Sequence, residues 1–212
     1  MMDRRRGLMG QAKGGLPSEY QEVEWIESHG TERIYTDIPA VSGISCLAKI
    51  AFTSTGYDVT VFGARKAASD RLMLIHGFPS NKWTLGYGSS HTGLGNWSVN
   101  TPYIVEAKCL IGEQMLKVDG TTLYTGSDRS DIHNDFNMSI FCSTYDRYDT
   151  FALYSSSRIW YLKVFDSSSN LIADFVPCYR RSDNEIGLYD LVANKFFHNS
   201  GTGTFSKGGN IN

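Results

Sequence analysis

No segment of this chain keeps an apolar period of three to four residues for three helical turns. What recurs is a short alternating run closed by Gly, Asn, Asp or Ser, at roughly 8–12-residue spacing, the rhythm of an all-β sandwich. A helix would have no apolar stripe to bury, whereas a sheet would have an apolar face. The alternation predicts strands over 20–26, 33–38, 44–52, 58–64, 71–76, 82–87, 103–111 and 114–118. Asp119-Gly120 is the strongest hairpin signal, with 121–125 as the returning strand. Further strands are expected over 136–142, 150–154, 158–165 and 171–176, then a hairpin of 186–191 and 195–198 around Val192-Ala193-Asn194. Residues 158–165 read RIWYLKVF, apolar on both alternating faces, so this strand is expected to be covered on both sides.

Composition supports the same class. Gly is 21 of 212 residues, and aromatics reach 13% with 12 Tyr and 11 Phe, which suits strands joined by tight turns and excludes a disordered chain. The net charge of −2 gives no basic excess for specific nucleic-acid binding. Residues 1–15 nonetheless hold Arg4, Arg5, Arg6 and Lys13 against Asp3, a balance of +3 that leaves −5 for the rest. The expected organisation is a basic anchoring arm over 1–15 and one β-sandwich domain over 16–212.

The charge-free stretch 83–105 is rich in Gly, Ser, Thr and Asn, so it is no membrane span. The basic start lacks an apolar run behind it, and no signal peptide is read. The expectation is a protein made and kept in a cytosol, or leaving it by a route other than standard export, without membrane association. Cys46, Cys109, Cys142 and Cys178 lie more than thirty positions apart and form no metal knuckle; buried thiols are the expected state, with a disulfide left open.

Two segments carry a resemblance. The opening, LPSEYQEVEWIESHGTERIYTDI, contributes Glu24, Ile26, Glu27, Ser28, Gly30, Thr31, Tyr35 and Thr36. The closing segment contributes Phe175-Val176-Pro177, Gly187-Leu188-Tyr189-Asp190, Phe196, Gly201-Thr202-Gly203 and Phe205. Together they resemble the laminin-G-like, concanavalin A-like jelly-roll domains of phage and prophage virion proteins of gut and Gram-positive bacteria. Trp25 and Arg33 depart from the commonest residues but keep the pattern. The match covers the two ends of the body; the middle agrees only in strand rhythm. The resemblance implies a two-sheet antiparallel sandwich whose first and last strands are neighbours. It does not fix a ligand, because the fold hosts lectins, hydrolases and structural modules.

Four groups of residues invite a functional reading. Trp83, Tyr87, His91, Asn96 and Trp97 combine flat rings with uncharged polar groups, the mixture that stacks on sugar C–H faces and bonds sugar hydroxyls; the alternative is that the rings fill the core. Tyr145, Arg147 and Tyr148, with Asp146 and Asp149, make a dense recognition-type turn, against the plainer reading of a solvated loop. Glu22, Glu24 and Glu27 echo the carboxylate strand of laminarinase-type glycosidases, but Glu27 falls on the opposite face unless a bulge intervenes. Asp119, Asp128, Asp131, Asp135 and Asp146 could supply oxygens to Ca²⁺, without any EF-hand spacing. His29, His76, His91, His133 and His198 show no metal-ligand spacing, and no nucleophile motif is present. No cofactor or metal is expected.

The resulting expectation is a phage virion surface protein, on capsid, head fibre or tail, with a lectin-like module for weak adhesion to cell-surface or environmental glycans. Other virion proteins would be bound through the arm, and the protein would be a homo-oligomer. The competing readings are a decoration protein without ligand and a glycoside hydrolase of the same fold.

Overall fold

Alternation in the sequence becomes alternation in burial. Along Ile34–Val41 buried and more open positions alternate, placing Ile34, Thr36, Ile38 and Ala40 inside. The computed structural model describes residues 15–145 and 150–211, and over them the chain is all strand, without a helix. The strands are β1 (Tyr20–Glu22), β2 (Ile26–His29), β3 (Ile34–Val41), β4 (Ile44–Phe52), β5 (Val59–Arg65) and β6 (Arg71–Gly77). They continue as β7 (Trp83–His91), β8 (Tyr103–Leu110), β9 (Glu113–Val118), β10 (Thr121–Gly126), β11 (His133–Ile140) and β12 (Ser143–Thr144). The last six are β13 (Phe151–Ala152), β14 (Ser156–Phe165), β15 (Leu171–Arg180), β16 (Ile186–Asp190), β17 (Lys195–His198) and β18 (Ser206–Lys207).

Two sheets pack into a sandwich. The first runs β10-β9-β8-β4-β14-β15-β16-β17, with β1 on β15 and β2 between β14 and β18. The second is built on β3, β11 and β5, extended by β6 and β7 and by the short β12 and β13. Pairing is antiparallel except where β12 runs parallel to β5. Ile50, Phe52, Leu72, Leu74, Leu85, Leu162, Val164 and Phe175 belong to the apolar layer between the sheets. Both hairpin turns use left-handed residues, Asp119 and Gly120 between β9 and β10 and Asn194 between β16 and β17, the backbone state those turns demand.

The first and last strands are neighbours. β1 pairs with β15, β18 with β2, and the Tyr20 ring sits 5.0 Å from Phe196. The motif residues at the two ends meet at Glu32. Its buried carboxylate accepts from the His29 amide at 2.7 Å, the Ser28 hydroxyl at 3.2 Å and the Thr204 amide at 3.1 Å. Burial opposes its charge, but these local hydrogen bonds outweigh burial and hold the carboxyl below its usual range. Gly203, at φ 81°, leaves the room: a Cβ there would strike the Glu32 carboxylate.

Two expectations are corrected. Residues 20–26 form no continuous strand: they divide into β1 and β2, and β1 turns to β15 while β2 pairs with β14. β14 is interior on one face and only partly covered on the other, where Lys163 is sunk in an ion pair with Asp174. A register shift between Ile159 and Tyr161 leaves Trp160 and Tyr161 half-buried, while Ile159, Leu162 and Val164 are interior. The four cysteines are free and buried; burial pushes the thiols of Cys46, Cys142 and Cys178 up to about 12, so they stay protonated.

Candidate functional site

Trp83, Tyr87 and Trp97 are interior, which corrects the expectation of a sugar-stacking surface there. They are 1%, 0% and 2% exposed. On β7, Trp83, Leu85 and Tyr87 face the core while Thr84, Gly86 and Gly88 take the other side, so alternation sends every large ring inward. Trp97 stacks on Phe52 at 4.1 Å, and Trp83 meets Tyr103 edge-on at 5.4 Å. The Tyr87 hydroxyl donates to Ser130 O and lies 3.0 Å from the Ser42 hydroxyl, which satisfies its polar end. His91 and Asn96 remain nearer solvent. His91 stacks on Tyr124 at 4.3 Å, and burial lowers its pKa against the pull of Asp128. The Asn96 amide oxygen accepts from Lys82 Nζ. Arg147 and Tyr148, and Arg4, Arg5, Arg6 and Lys13 of the arm, lie outside the described residues.

Tyr145 leads to a different surface, the face of the second sheet turned away from the core. Register alone defines a cross-strand row there: Tyr35 on β3, Ser139 on β11, Gly63 on β5, Met73 on β6 and Gly86 on β7. Met73 flanked by two glycines makes a flat strip. A Cβ at Gly63 would come within 2.9 Å of the Met73 Cα, and one at Gly86 within 2.9 Å of the Met73 Cβ. The next row along the strands pairs Arg65 with Arg71, and Arg71 with Gly88. The row on the other side pairs Thr60 with His76 and His76 with Thr84.

Both guanidinium charges act on Asp58 and on His76, near the opposite ends of the same strands. Arg65 and Arg71 are both half-buried, and Met73, one row away on the same face, is fully buried although it faces away from the core. The Arg65 guanidinium carbon sits 5.2 Å from the Tyr145 ring centre, and Arg71 Nη1 donates to the Ser90 hydroxyl at 2.6 Å. Burial and the charge of Arg65 lower the Arg71 pKa. The Nε atoms of Arg65 and Arg71 are buried without a hydrogen-bond partner, and so is Asp58 Oδ1. Among the described residues no carboxylate lies within ion-pair distance of either arginine.

Beside this pair stands an aromatic group at the Tyr35 end of the row. Arg33 lies 4.0 Å over the Phe151 ring and donates to the Tyr154 hydroxyl at 2.7 Å, and Phe151 meets Tyr35 edge-on at 5.6 Å. All four side chains are half-buried. The sequence reading selected none of Arg33, Arg65, Arg71, Phe151 or Tyr154 as a site residue. The available signal was the symmetric placement of Arg65 and Arg71 about the turn Lys66-Ala67-Ala68-Ser69-Asp70.

Several other carboxylate and histidine groups are held by partners within the fold. Glu27 is ion-paired with Arg158 at 2.6 Å on β14, and Glu22 belongs to a different strand, so the continuous carboxylate strand of a glycosidase is not formed. Asp128 accepts from the Ser130 amide within its own turn, and Asp119 accepts from the Ile104 amide across on β8. No group of three His, Cys, Asp or Glu side chains among the described residues is arranged to hold a metal. His76 Nδ1 lies 2.9 Å from Val59 O and 3.1 Å from the Thr60 hydroxyl, and its Nε2 is 3.2 Å from Asp58 Oδ1. Thr60 is completely buried, so this Thr-His-Asp line offers no accessible nucleophile.

No protein-family model and no curated protein sequence matches the chain. Solved structures do. A candidate carbohydrate-binding protein from Bacteroides ovatus superposes with a TM-score of 0.64 at 12% identity, covering 90% of this chain and 62% of that one. The present chain thus spans about 62% of that protein's length. The heptameric SAP-like pentraxin of Limulus polyphemus matches with a TM-score of 0.50 at 13% identity, covering 89% of this chain and 95% of that one. Domains LG4-5 of the mouse laminin α1 chain give a looser match, TM-score 0.47 at 10% identity, covering 74% of this chain and 44% of theirs. At such identities the likeness is one of fold: the chain is an all-β, two-sheet antiparallel sandwich of the jelly-roll type.

Proposed function

We propose that the chain is a carbohydrate-binding jelly-roll module and that glycan lies across the outer face of its second sheet. The observation that carries this reading is the glycine-flanked strip over Met73, bordered by half-buried rings and by buried guanidinium donors that lack partners. Rings supply faces for sugar C–H groups, and guanidinium forks supply hydrogen bonds to sugar oxygens. The likeness to the Bacteroides ovatus protein agrees with this use of the fold. The sequence resemblance adds a setting, the surface of a phage or prophage particle, with the basic arm as anchor.

A glycan array probed with the full chain tests the module. Binding to a defined set of glycans is expected, and Phe151→Ala or Tyr145→Ala should weaken it by roughly 1–3 kcal/mol, the scale of one large apolar contact. An array with no retained glycan would favour the competing decoration reading, which gains support from the burial of Trp83, Tyr87 and Trp97. Deleting residues 1–14 should abolish incorporation into particles while leaving the sandwich folded. Normal incorporation of the truncated chain would remove the anchoring role.

A further inference from the structure

Arg65 and Arg71 face each other directly across β5 and β6. Like charges placed opposite in a sheet repel, and the repulsion is larger when the pair is drawn out of water. Nothing in the packing of the sandwich calls for either guanidinium, because both side chains lie on the face turned away from the core. Among the described residues no carboxylate lies within ion-pair distance of either, so the pair presents two cations to something outside the sheet.

The unfilled hydrogen-bonding groups narrow down that partner. Arg71 uses one nitrogen on Ser90, yet Nε of both arginines is buried without an acceptor. Asp58 Oδ1, under the influence of both charges, is buried without a donor. It is not idle, however: His76 Nε2 lies 3.2 Å from it, and a proton on either group joins the two. A neutral sugar would leave both cations uncompensated. A sugar that carries an anionic oxygen group answers both charges, with the Tyr145 ring as a flat neighbour.

Resting on the carbohydrate-binding reading above, we propose that this face selects acidic glycans, the carboxylate or sulfate of the sugar being held between Arg65 and Arg71. The test is titration of the full chain with polygalacturonate and its methyl ester, and with heparin and its desulfated form. Retention of at least one acidic polymer is expected, about tenfold or more above its neutral counterpart and weakening with salt. This first arm needs no variant. Arg65→Gln and Arg71→Gln should each lower the affinity at least about tenfold, and Arg65→Lys should restore it only in part, because an ammonium lacks the planar fork. Equal binding of the acidic and neutral forms, or binding unmoved by both glutamine variants, overturns this inference and leaves the carbohydrate reading standing. Loss of all glycan binding on an array overturns both. A third outcome also overturns it: Arg65→Gln/Arg71→Gln and Asp146→Asn/Asp149→Asn lower the thermal midpoint alike and neither acidic polymer binds. The arginines would then serve the chain's own carboxylates.

Discussion

On the outer face of the first sheet, cations meet acids in register: Lys117 opposite Glu106, Lys163 opposite Asp174, Arg158 opposite Glu27. On the outer face of the second, Arg65 meets Arg71. The first arrangement closes on itself. Its pairs lie at 2.6–3.0 Å, and the Lys163–Asp174 pair is nearly buried. The second leaves buried donors without acceptors over a floor kept flat by Gly63 and Gly86. Both sheets present apolar inner faces to the shared core, and the difference lies on their outer faces. The second face also pairs some of its charges, Asp135 with Lys66 and Asp37 with Lys195, so the contrast is confined to the Arg65–Arg71 row, the part that the proposed ligand would complete.

The largest effect that would sharpen this contrast comes from pH. Burial pushes His76, on the second face, from the usual 6.5 to about 3, and the nearby charges of Arg71 and Arg65 act in the same direction. A depressed folded pKa means that its contribution is complete above pH 6.5 and lost as pH falls toward 3, by about 4–5 kcal/mol. Asp58 works in the opposite sense: burial raises its pKa, so its contribution is present at low pH and lost once it ionises. Urea unfolding at a series of pH values should show the acid loss, and His76→Gln should flatten it. An unchanged slope in that variant would move the effect elsewhere.

Next in size is the closed face. Lys163→Met keeps most of the volume but leaves Asp174 buried and unpaired, a loss of about 3–5 kcal/mol in unfolding free energy. Lys117→Gln, at a pair roughly one third exposed, should cost no more than about 1 kcal/mol in the same assay. Equal costs for the two would mean that depth does not govern this face.

Much of this architecture is legible in the sequence, because the physics involved is local. Asp119-Gly120 and Asn194 mark their turns through the left-handed backbone they accept. The end motifs announce a closed sandwich, and the Glu32 carboxylate with Gly203 shows why those residues belong together. Even the burial of Trp83 and Tyr87 is written in their alternation with Thr84, Gly86 and Gly88. The candidate site is not legible in this way. Register shifts near Thr60, Phe62 and Gly63 on β5, and between Met73 and His76 on β6, break the simple count of two. Only the pairing between strands reveals that Arg65 and Arg71 share a face with Tyr35, 30 residues from Arg65 in the chain. Tyr145 was within reach because charge density around it is visible locally, whereas Arg33, Phe151 and Tyr154 meet only through the fold.

The smallest expected change in stability is also the most direct test of the central claim. It is the urea unfolding free energy of Arg65→Gln/Arg71→Gln against the unaltered chain, at neutral pH and low salt. If the pair awaits an external anion, removing it relieves repulsion, and stability should stay the same or rise by up to about 1 kcal/mol. A loss of about 2 kcal/mol or more, on the scale of breaking a satisfied buried interaction, would show that the arginines hold the sheet together and would contradict the account.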